Sequence, residues 1–119
     1  AGFIGSALVN KLLSIGYEVL GVDNFDTFYS GTIKSKNLES ALLSPSYTFI
    51  EGDICDPQLW EKISQYPITH VVHLAAKAGV LPSLQEPSAY IETNINGTFR
   101  VLKFMQENQI KKLTFASSS

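Results

Sequence analysis

The sequence predicts an α/β fold, a doubly wound parallel sheet, from three observations. Segments with helical periodicity alternate with short apolar segments, in the order helix then strand four times over. Two glycines, Gly2 and Gly5, open the first helical segment. Polar side chains stand at the ends of predicted strands, at Asp23, Asp53 and residues 117–119. Because ligands of such sheets bind at the carboxyl ends of the strands, these positions predict a ligand site.

The first helix is predicted over residues 4–15. Apolar residues recur there at spacings of four, four and three, which is one face of a 3.6-residue period. Gly16 follows as a C-terminal cap. Residues 17–23 then form a short buried strand that ends in Asp23.

Residues 24–35 are predicted to be a loop, followed by a weak helix over 33–43 and a strand over 47–54. The loop carries Phe25, Phe28 and Tyr29. These rings either anchor the loop to the body of the protein, the reading we favour, or flank a bound ligand.

Asp56 and Pro57 are typical of a helix start, and Pro67 ends that helix. Residues 70–76 read as a central, almost continuously apolar strand, in which His73 is interpreted as a hydrogen-bonded core residue rather than a ligand. Residues 77–83 form the following loop. The small residues Ala75 and Ala76 at the exit of the strand would allow close approach of a ligand.

A further helix is predicted from Ser88, with an apolar stripe listed as Ile91, Ile95, Phe99, Leu102 and Met105. Asn94 and Gly97 interrupt this helix with poor helix formers. On the pattern alone, Asn94 is either an exposed surface residue or a functional one. Residues 112–119 form the last strand.

Composition excludes several classes of function. The chain has 119 residues, a net charge of −2 and 17% charged residues, so no basic surface is available for nucleic acid. No apolar run reaches the ~18 residues of a membrane helix. Cys55 is the single cysteine, which fits a reducing compartment, and no Cys/His cluster has the spacing of metal ligands.

The glycines and Asp23 together form part of a dinucleotide-binding fingerprint. Glycine lets backbone approach a pyrophosphate, N–H groups at the helix start hold the phosphates, and an acid about 20 residues later binds the ribose. Asp23 stands eighteen residues after Gly5. We expect the preceding strand, which is central in this fold, and the first glycine of the turn to lie before residue 1.

Six segments resemble the extended short-chain dehydrogenase/reductases, and more narrowly the NAD-dependent nucleotide-sugar epimerases and dehydratases. They are Gly2-Phe3-Ile4-Gly5, Val22-Asp23-Asn24-Phe25, Gly52-Asp53-Ile54, His73-Leu74-Ala75-Ala76, Asn94-Ile95-Asn96-Gly97-Thr98 and Phe115-Ala116-Ser117-Ser118-Ser119. The loop at 22–36 and the run at 77–84 most resemble UDP-glucuronate 4-epimerase-like members. The resemblance implies that residues 1–119 are a partial NAD-binding Rossmann domain of a longer chain.

The resemblance also implies a role for each matched position. Gly2, Phe3, Ile4 and Gly5 would hold the pyrophosphate of NAD, and Asp23, with Asn24 beside it, would hold the adenosine ribose. Further cofactor contacts would come from Asp53, Ile54, Leu74, Ala75, Ala76 and Lys77, with Asn94 organising the site. Ser118, or else Ser119, would bind the reacting sugar hydroxyl. A carboxylate at position 23 favours NAD over NADP because it repels a 2′-phosphate.

In the family chemistry, a tyrosine of a Tyr-x-x-x-Lys pair removes the hydroxyl proton while hydride leaves the sugar, and the 4-keto sugar then receives hydride on its other face. The tyrosines of this chain lack a lysine four residues later. We therefore expect the base and the sugar-binding part to lie beyond Ser119, and these residues alone to be inactive. The alternatives are a 4,6-dehydratase or a non-catalytic NAD-binding regulator on the same fold.

The resemblance further implies a nucleotide-sugar substrate, a UDP-sugar by preference, and a homodimer for the full-length protein. No nucleic acid and no membrane partner is expected. A cytoplasmic role in nucleotide-sugar metabolism and polysaccharide biosynthesis follows from the same resemblance.

Overall fold

Parallel strand pairs joined by helices make up the chain in a computed structural model that describes residues 1–28 and 30–117. By its internal contacts the chain divides into two compact units, Ala1–Asp53 and Ile54–Ser119. Each unit is a βαβ arrangement with its own small core. The predicted α/β class and its parallel pairing are confirmed, although the described strands form two separate pairs rather than one sheet.

The first unit contains helix α1 (Phe3–Ser14), strand β1 (Val19–Asp23), helix α2 (Gly31–Leu42) and strand β2 (Tyr47–Glu51). The two strands are parallel and in register from Val19 opposite Tyr47 to Asp23 opposite Glu51. Their carboxyl ends therefore lie side by side.

Helix α1 ends as the sequence predicts, in a glycine cap. Gly16 has a φ of +89°, which costs glycine little, and its N–H donates to the carbonyl of Leu13. The N–H of Tyr17 donates to the carbonyl of Leu12, which completes a Schellman motif. Ser6 is the buried residue of this helix, whereas Ile4 is 67% exposed. The predicted apolar stripe is thus exposed at both ends, at Ile4 and at Ile15, which is 56% exposed, although α1 packs on α2 and β1.

The second unit begins with helix α3 (Pro57–Ile63) and strand β3 (His70–His73). The side chain of Asp56 accepts a hydrogen bond from the N–H of Gln58, and Pro57 occupies the first helical position, as predicted. Helices α4 (Val80–Gln85) and α5 (Pro87–Tyr90) follow. The predicted loop at 77–83 is therefore wrong from Val80 onward.

A π-helix (Ile91–Gly97), helix α6 (Thr98–Glu107) and strand β4 (Lys112–Phe115) complete the second unit. Strand β4 runs parallel to β3, with His70 opposite Lys112 and His73 opposite Phe115. The core lies between α3 and α6, where the rings of Trp60 and Phe104 stand 5.1 Å apart; its buried side chains are Leu59, Ile63, Val101, Phe104, Met105 and Ile110. The predicted strand over residues 70–76 is wrong beyond His73, where β3 ends, and Val72 within it is 38% exposed.

The apolar stripe predicted along residues 91–105 is mostly exposed. Ile91, Ile95, Phe99 and Leu102 are 47–64% exposed, and only Met105 is buried. The inward face of α6 instead carries Val101, Phe104 and Met105. The exposed members of the stripe therefore share one face, as their 3.6-residue period predicts, but the face of α6 that packs on the core is a different one.

Candidate functional site

The carboxylate of Asp23, at the end of β1, lies at the centre of a group of hydrogen-bond donors in the first unit. Oδ1 accepts from the ammonium of Lys34 and from the backbone N–H of Phe25, both at 2.8 Å. Oδ2 accepts from the backbone nitrogen of Ala1 at 3.1 Å. Burial alone raises the pKa of Asp23, but these donors outweigh it and hold the pKa below its ordinary value. Asp23 is therefore a charged acceptor at neutral pH.

The loop after β1 is shaped by side chains that bind its own backbone. Asp23, Asn24 and Asp26 each accept a hydrogen bond from the N–H two residues further along, at 2.8–3.0 Å. Phe25 adopts a φ of +53°, which is uncommon for a residue with a side chain, and its ring packs edge-on against Phe49 at 5.8 Å. Phe25 is thus a loop anchor, as favoured above; Tyr29 lies outside the described residues.

Asp53 meets this group from the end of β2. The side-chain amide of Asn24 donates to its Oδ2 at 2.9 Å. The structure therefore brings together Asp23, Asn24 and Asp53, three of the predicted cofactor residues, at one edge of the first strand pair. Such an edge, with ionised and amide oxygens, can accept hydrogen bonds from ribose hydroxyls and adenine.

The predicted phosphate-binding residues lie at the start of α1, close to this edge. Gly2 is the N-cap, with no atom within 4 Å of the place where a Cβ would stand, and Phe3 is 87% exposed. Free N–H groups at a helix start favour an anion. The open surface over Gly2 fits the predicted approach of a pyrophosphate.

In the second unit, Asn94 holds the segment that leaves β3. Its Oδ1 accepts from the N–H of Lys77 at 2.8 Å, and its Nδ2 donates to the carbonyl of the same residue at 2.9 Å. The hydroxyl of Tyr90 donates to the carbonyl of Ala78 at 2.6 Å. Of the two alternatives that the sequence allowed for Asn94, the exposed surface residue is therefore wrong. We call its two hydrogen bonds to the backbone of Lys77 the clamp.

His73 is linked to Asn94 through the hydroxyl of Thr98. It is 5% exposed, and its Nε2 lies 2.9 Å from the hydroxyl of Thr98, which donates to the carbonyl of Asn94 at 2.8 Å. Because the hydroxyl proton is used on that carbonyl, Nε2 of His73 carries the proton of this pair. Burial lowers the pKa of His73, so the ring is neutral at pH 7. The interpretation of His73 as a hydrogen-bonded core residue is confirmed.

A cleft of about 310 Å³ opens beside these residues, lined among others by Ala75, Ala76, Asn94, Thr98 and Ser117. Leu74 is half-buried, whereas Ala75 and Ala76 are exposed on the cleft. Ser118 and Ser119, the predicted catalytic residues, lie outside the described residues, so their role stays a prediction.

Ile54, one of the predicted cofactor contacts, packs against the π-helix within the second unit. A Cβ at Gly97 would stand 2.6 Å from Cδ1 of Ile54 and 3.3 Å from Sγ of Cys55. The glycine thus lets the helix approach the chain that follows β2. The sequence identified Gly97 only as a poor helix former, and no local signal indicated that Ile54 packs against it.

Sequence reasoning also missed Lys34 and Thr98. Lys34 lies eleven residues after its partner, on a helix predicted as weak, and nothing in its spacing indicates an ion pair. Thr98 could have been found only by placing its helix over β3.

Comparison with known proteins agrees with the resemblance. All residues, 1–119, match the family model described as GDP-mannose 4,6 dehydratase. The chain is 42% identical to UDP-glucuronate 4-epimerase of Thermodesulfobacterium geofontis and 40% identical to UDP-glucuronate 4-epimerase 3 of Arabidopsis thaliana. It is covered completely in both cases but spans only 37% and 28% of those proteins.

A solved structure gives the same result. UDP-glucuronic acid 4-epimerase from Bacillus cereus, in complex with UDP-glucuronic acid and NAD, superposes with a TM-score of 0.89 at 33% identity. The match covers 99% of this chain and 38% of that one. In the part of the chain that the structure describes, no helix is both long and apolar enough to cross a membrane.

Proposed function

We propose a function from one premise, namely that the chain belongs to the nucleotide-sugar epimerase and dehydratase family whose model is described as GDP-mannose 4,6 dehydratase. In this proposal the chain is the NAD-binding part of a longer NAD-dependent 4-epimerase acting on UDP-glucuronate or a related UDP-hexose. The observation that carries it is the ionised carboxylate of Asp23 at the end of β1, beside an open glycine helix start.

The described residues fit the cofactor by their chemistry. Asp23 offers charged oxygens to the adenosine ribose, and Asn24 and Asp53 lie beside it. The start of α1 offers N–H groups to the pyrophosphate. In the second unit, the clamp from Asn94 to Lys77 fixes backbone that would face the cofactor, and the small Ala75 and Ala76 leave room.

NAD, when bound, accepts hydride from the sugar carbon and returns it. The residues of this chain bind and orient: Asp23 the ribose, the start of α1 the phosphates, and Ser118 or Ser119 the sugar hydroxyl. A hydroxyl that donates to or accepts from the reacting oxygen positions it for deprotonation. The base itself belongs, in this proposal, to the remaining length of the parent protein, since its relatives are about three times as long.

The test is to incubate the full-length protein with UDP-glucuronate and to follow UDP-galacturonate by chromatography. Formation of an isomer of unchanged mass supports epimerisation. A product lighter by one water, formed in a parallel incubation with UDP-glucose, whose C6 carries the hydroxyl that 4,6-dehydration expels, would instead support the 4,6-dehydratase. NAD binding without any product from either sugar would support a regulator. Ser118→Ala and Ser119→Ala, made separately, identify the serine by the larger loss of kcat.

We further propose that the full-length protein is a cytoplasmic homodimer that supplies nucleotide sugars for polysaccharide biosynthesis. The exposed stripe of Ile91, Ile95, Phe99 and Leu102 supports the dimer, because contiguous exposed apolar surface is typical of interfaces. Phe99→Glu should convert dimer to monomer in light scattering. Leu43→Glu, at an equally apolar position that is 87% exposed on the first unit, is the control and should leave the dimer intact.

A further inference from the structure

The buried ammonium of Lys34 is unusual for a lysine. The residue is 7% exposed, and its Nζ meets Oδ1 of Asp23 at 2.8 Å and lies 5.7 Å from the centre of the Phe25 ring. A buried cation is costly unless an anion compensates it. The negative charge of Asp23 therefore offsets the cost of burying the Lys34 ammonium, just as Lys34 stabilises the ionised form of Asp23.

Nothing in the position of Lys34 within helix α2 stabilises its positive charge. It lies in the first turn of α2, where the helix dipole disfavours a cation. No acidic side chain lies in that first turn to offset it. The ion pair with Asp23 is thus the feature that accounts for a charged residue there.

Two donors converge on a single oxygen of Asp23. The Lys34 ammonium and the N–H of Phe25 both donate to Oδ1. Donors that converge on one point form an anion site, and in this chain its occupant is the chain's own carboxylate.

We infer that Lys34, together with the N–H of Phe25, is a latent receptor for a 2′-phosphate, and that the carboxylate of Asp23 occupies this receptor. This inference rests on the proposed function. If Asp23 is shortened, an oxygen of the 2′-phosphate can take the place of Oδ1 and meet the same ammonium and N–H. The charge-assisted hydrogen bond to Lys34 then favours the dinucleotide that carries the phosphate.

The experiment measures the dissociation constants of NAD and NADP for the full-length protein by calorimetry. Adenosine 2′,5′-bisphosphate and 5′-AMP serve as probes of the adenosine half alone. Asp23→Ser should shift the ratio of NADP to NAD affinity by about 10- to 100-fold toward NADP, which corresponds to one hydrogen bond to a charged group. The double variant Asp23→Ser/Lys34→Met should show a shift smaller by several fold, because it keeps the loss of repulsion but lacks the ammonium of Lys34.

The outcomes separate this inference from the proposed function. If Asp23→Ser still binds NAD but shows no shift, or if the double variant shows the same shift, the inference is overturned and the proposed function stands. If the unsubstituted protein binds neither dinucleotide, both are overturned. Should Asp23→Ser fail to fold, Asp23→Ala decides in the same way: its ratio of NADP to NAD affinity should exceed that of Asp23→Ala/Lys34→Met by several fold, and equal ratios overturn the inference.

Discussion

Asn94→Ala is the sharpest test of the clamp on the segment that leaves β3. The substitution removes two hydrogen bonds to the backbone of Lys77, at 2.8 and 2.9 Å. At about 0.5–1.5 kcal/mol for each bond, the free energy of unfolding should fall by about 1–3 kcal/mol. The upper part of that range applies if the half-buried N–H and carbonyl of Lys77 find no water.

The matched control is Asn96→Ala, two residues further along the same π-helix. Asn96 is exposed, and its amide donates to Glu92 within that helix rather than to the segment after β3. Its loss should stay within about 0.5 kcal/mol, as for most surface substitutions.

Urea unfolding of the full-length protein, with and without NAD, checks both numbers. Because Leu74–Lys77 is proposed to face the cofactor, Asn94→Ala should also weaken NAD binding, by up to about tenfold, which corresponds to ~1.4 kcal/mol. Equal unfolding free energies for the two variants would refute the clamp. A stability loss without any loss of NAD affinity would leave the clamp intact but separate it from the cofactor site.

Two further predictions concern the ends of helices, and a third concerns the titration of His73. Gly16→Ala should cost about 1–2 kcal/mol in urea unfolding because φ is +89°, whereas Gly31→Ala, with open space around it in the first turn of α2, should cost nothing. Asp56→Ala should lower stability by about 1 kcal/mol through loss of the cap on Gln58, and Asp56→Asn should keep most of it. The folded pKa of His73 lies below 6.5, so its contribution to stability is present above that pH and is lost as pH falls through the folded pKa. The stability difference between the wild-type protein and His73→Gln should therefore shrink as pH falls below 6.5; a difference independent of pH would contradict the neutral buried ring.

The elements that the sequence predicts well are those with local chemical signals. Gly16 ends α1 by its positive φ, and Asp56 with Pro57 starts α3 by capping; both follow from single residues. Asp23 and Asp53 are placed correctly at one edge because parallel strands in register must end together. Helix α4 was missed because Gly79 and Pro82 favour a loop, whereas in the structure Gly79 precedes the helix and Pro82 lies in its first turn, where proline is tolerated.

The site residues that were missed depend on distant contacts. Lys34 becomes significant only when α2 brings it to Asp23, and Gly97 only when Ile54 lies against it. Periodicity gives no access to such pairs. Asn94 was identified by resemblance, whereas its two hydrogen bonds to the backbone of Lys77 are visible only in the structure.

The apolar stripe of residues 91–102 shows why a pattern predicts that a face is buried but not what buries it. Its period of roughly 3.6 residues is real, yet Phe99 is 64% exposed and the inward face of α6 is a second apolar row around Val101 and Phe104. A helix with two apolar faces must pack on two sides to be satisfied. In the described residues one side packs on the core, so the other requires a further partner. A second copy of the chain, the occupant proposed above, would meet that requirement without any change to the residues that form the cleft.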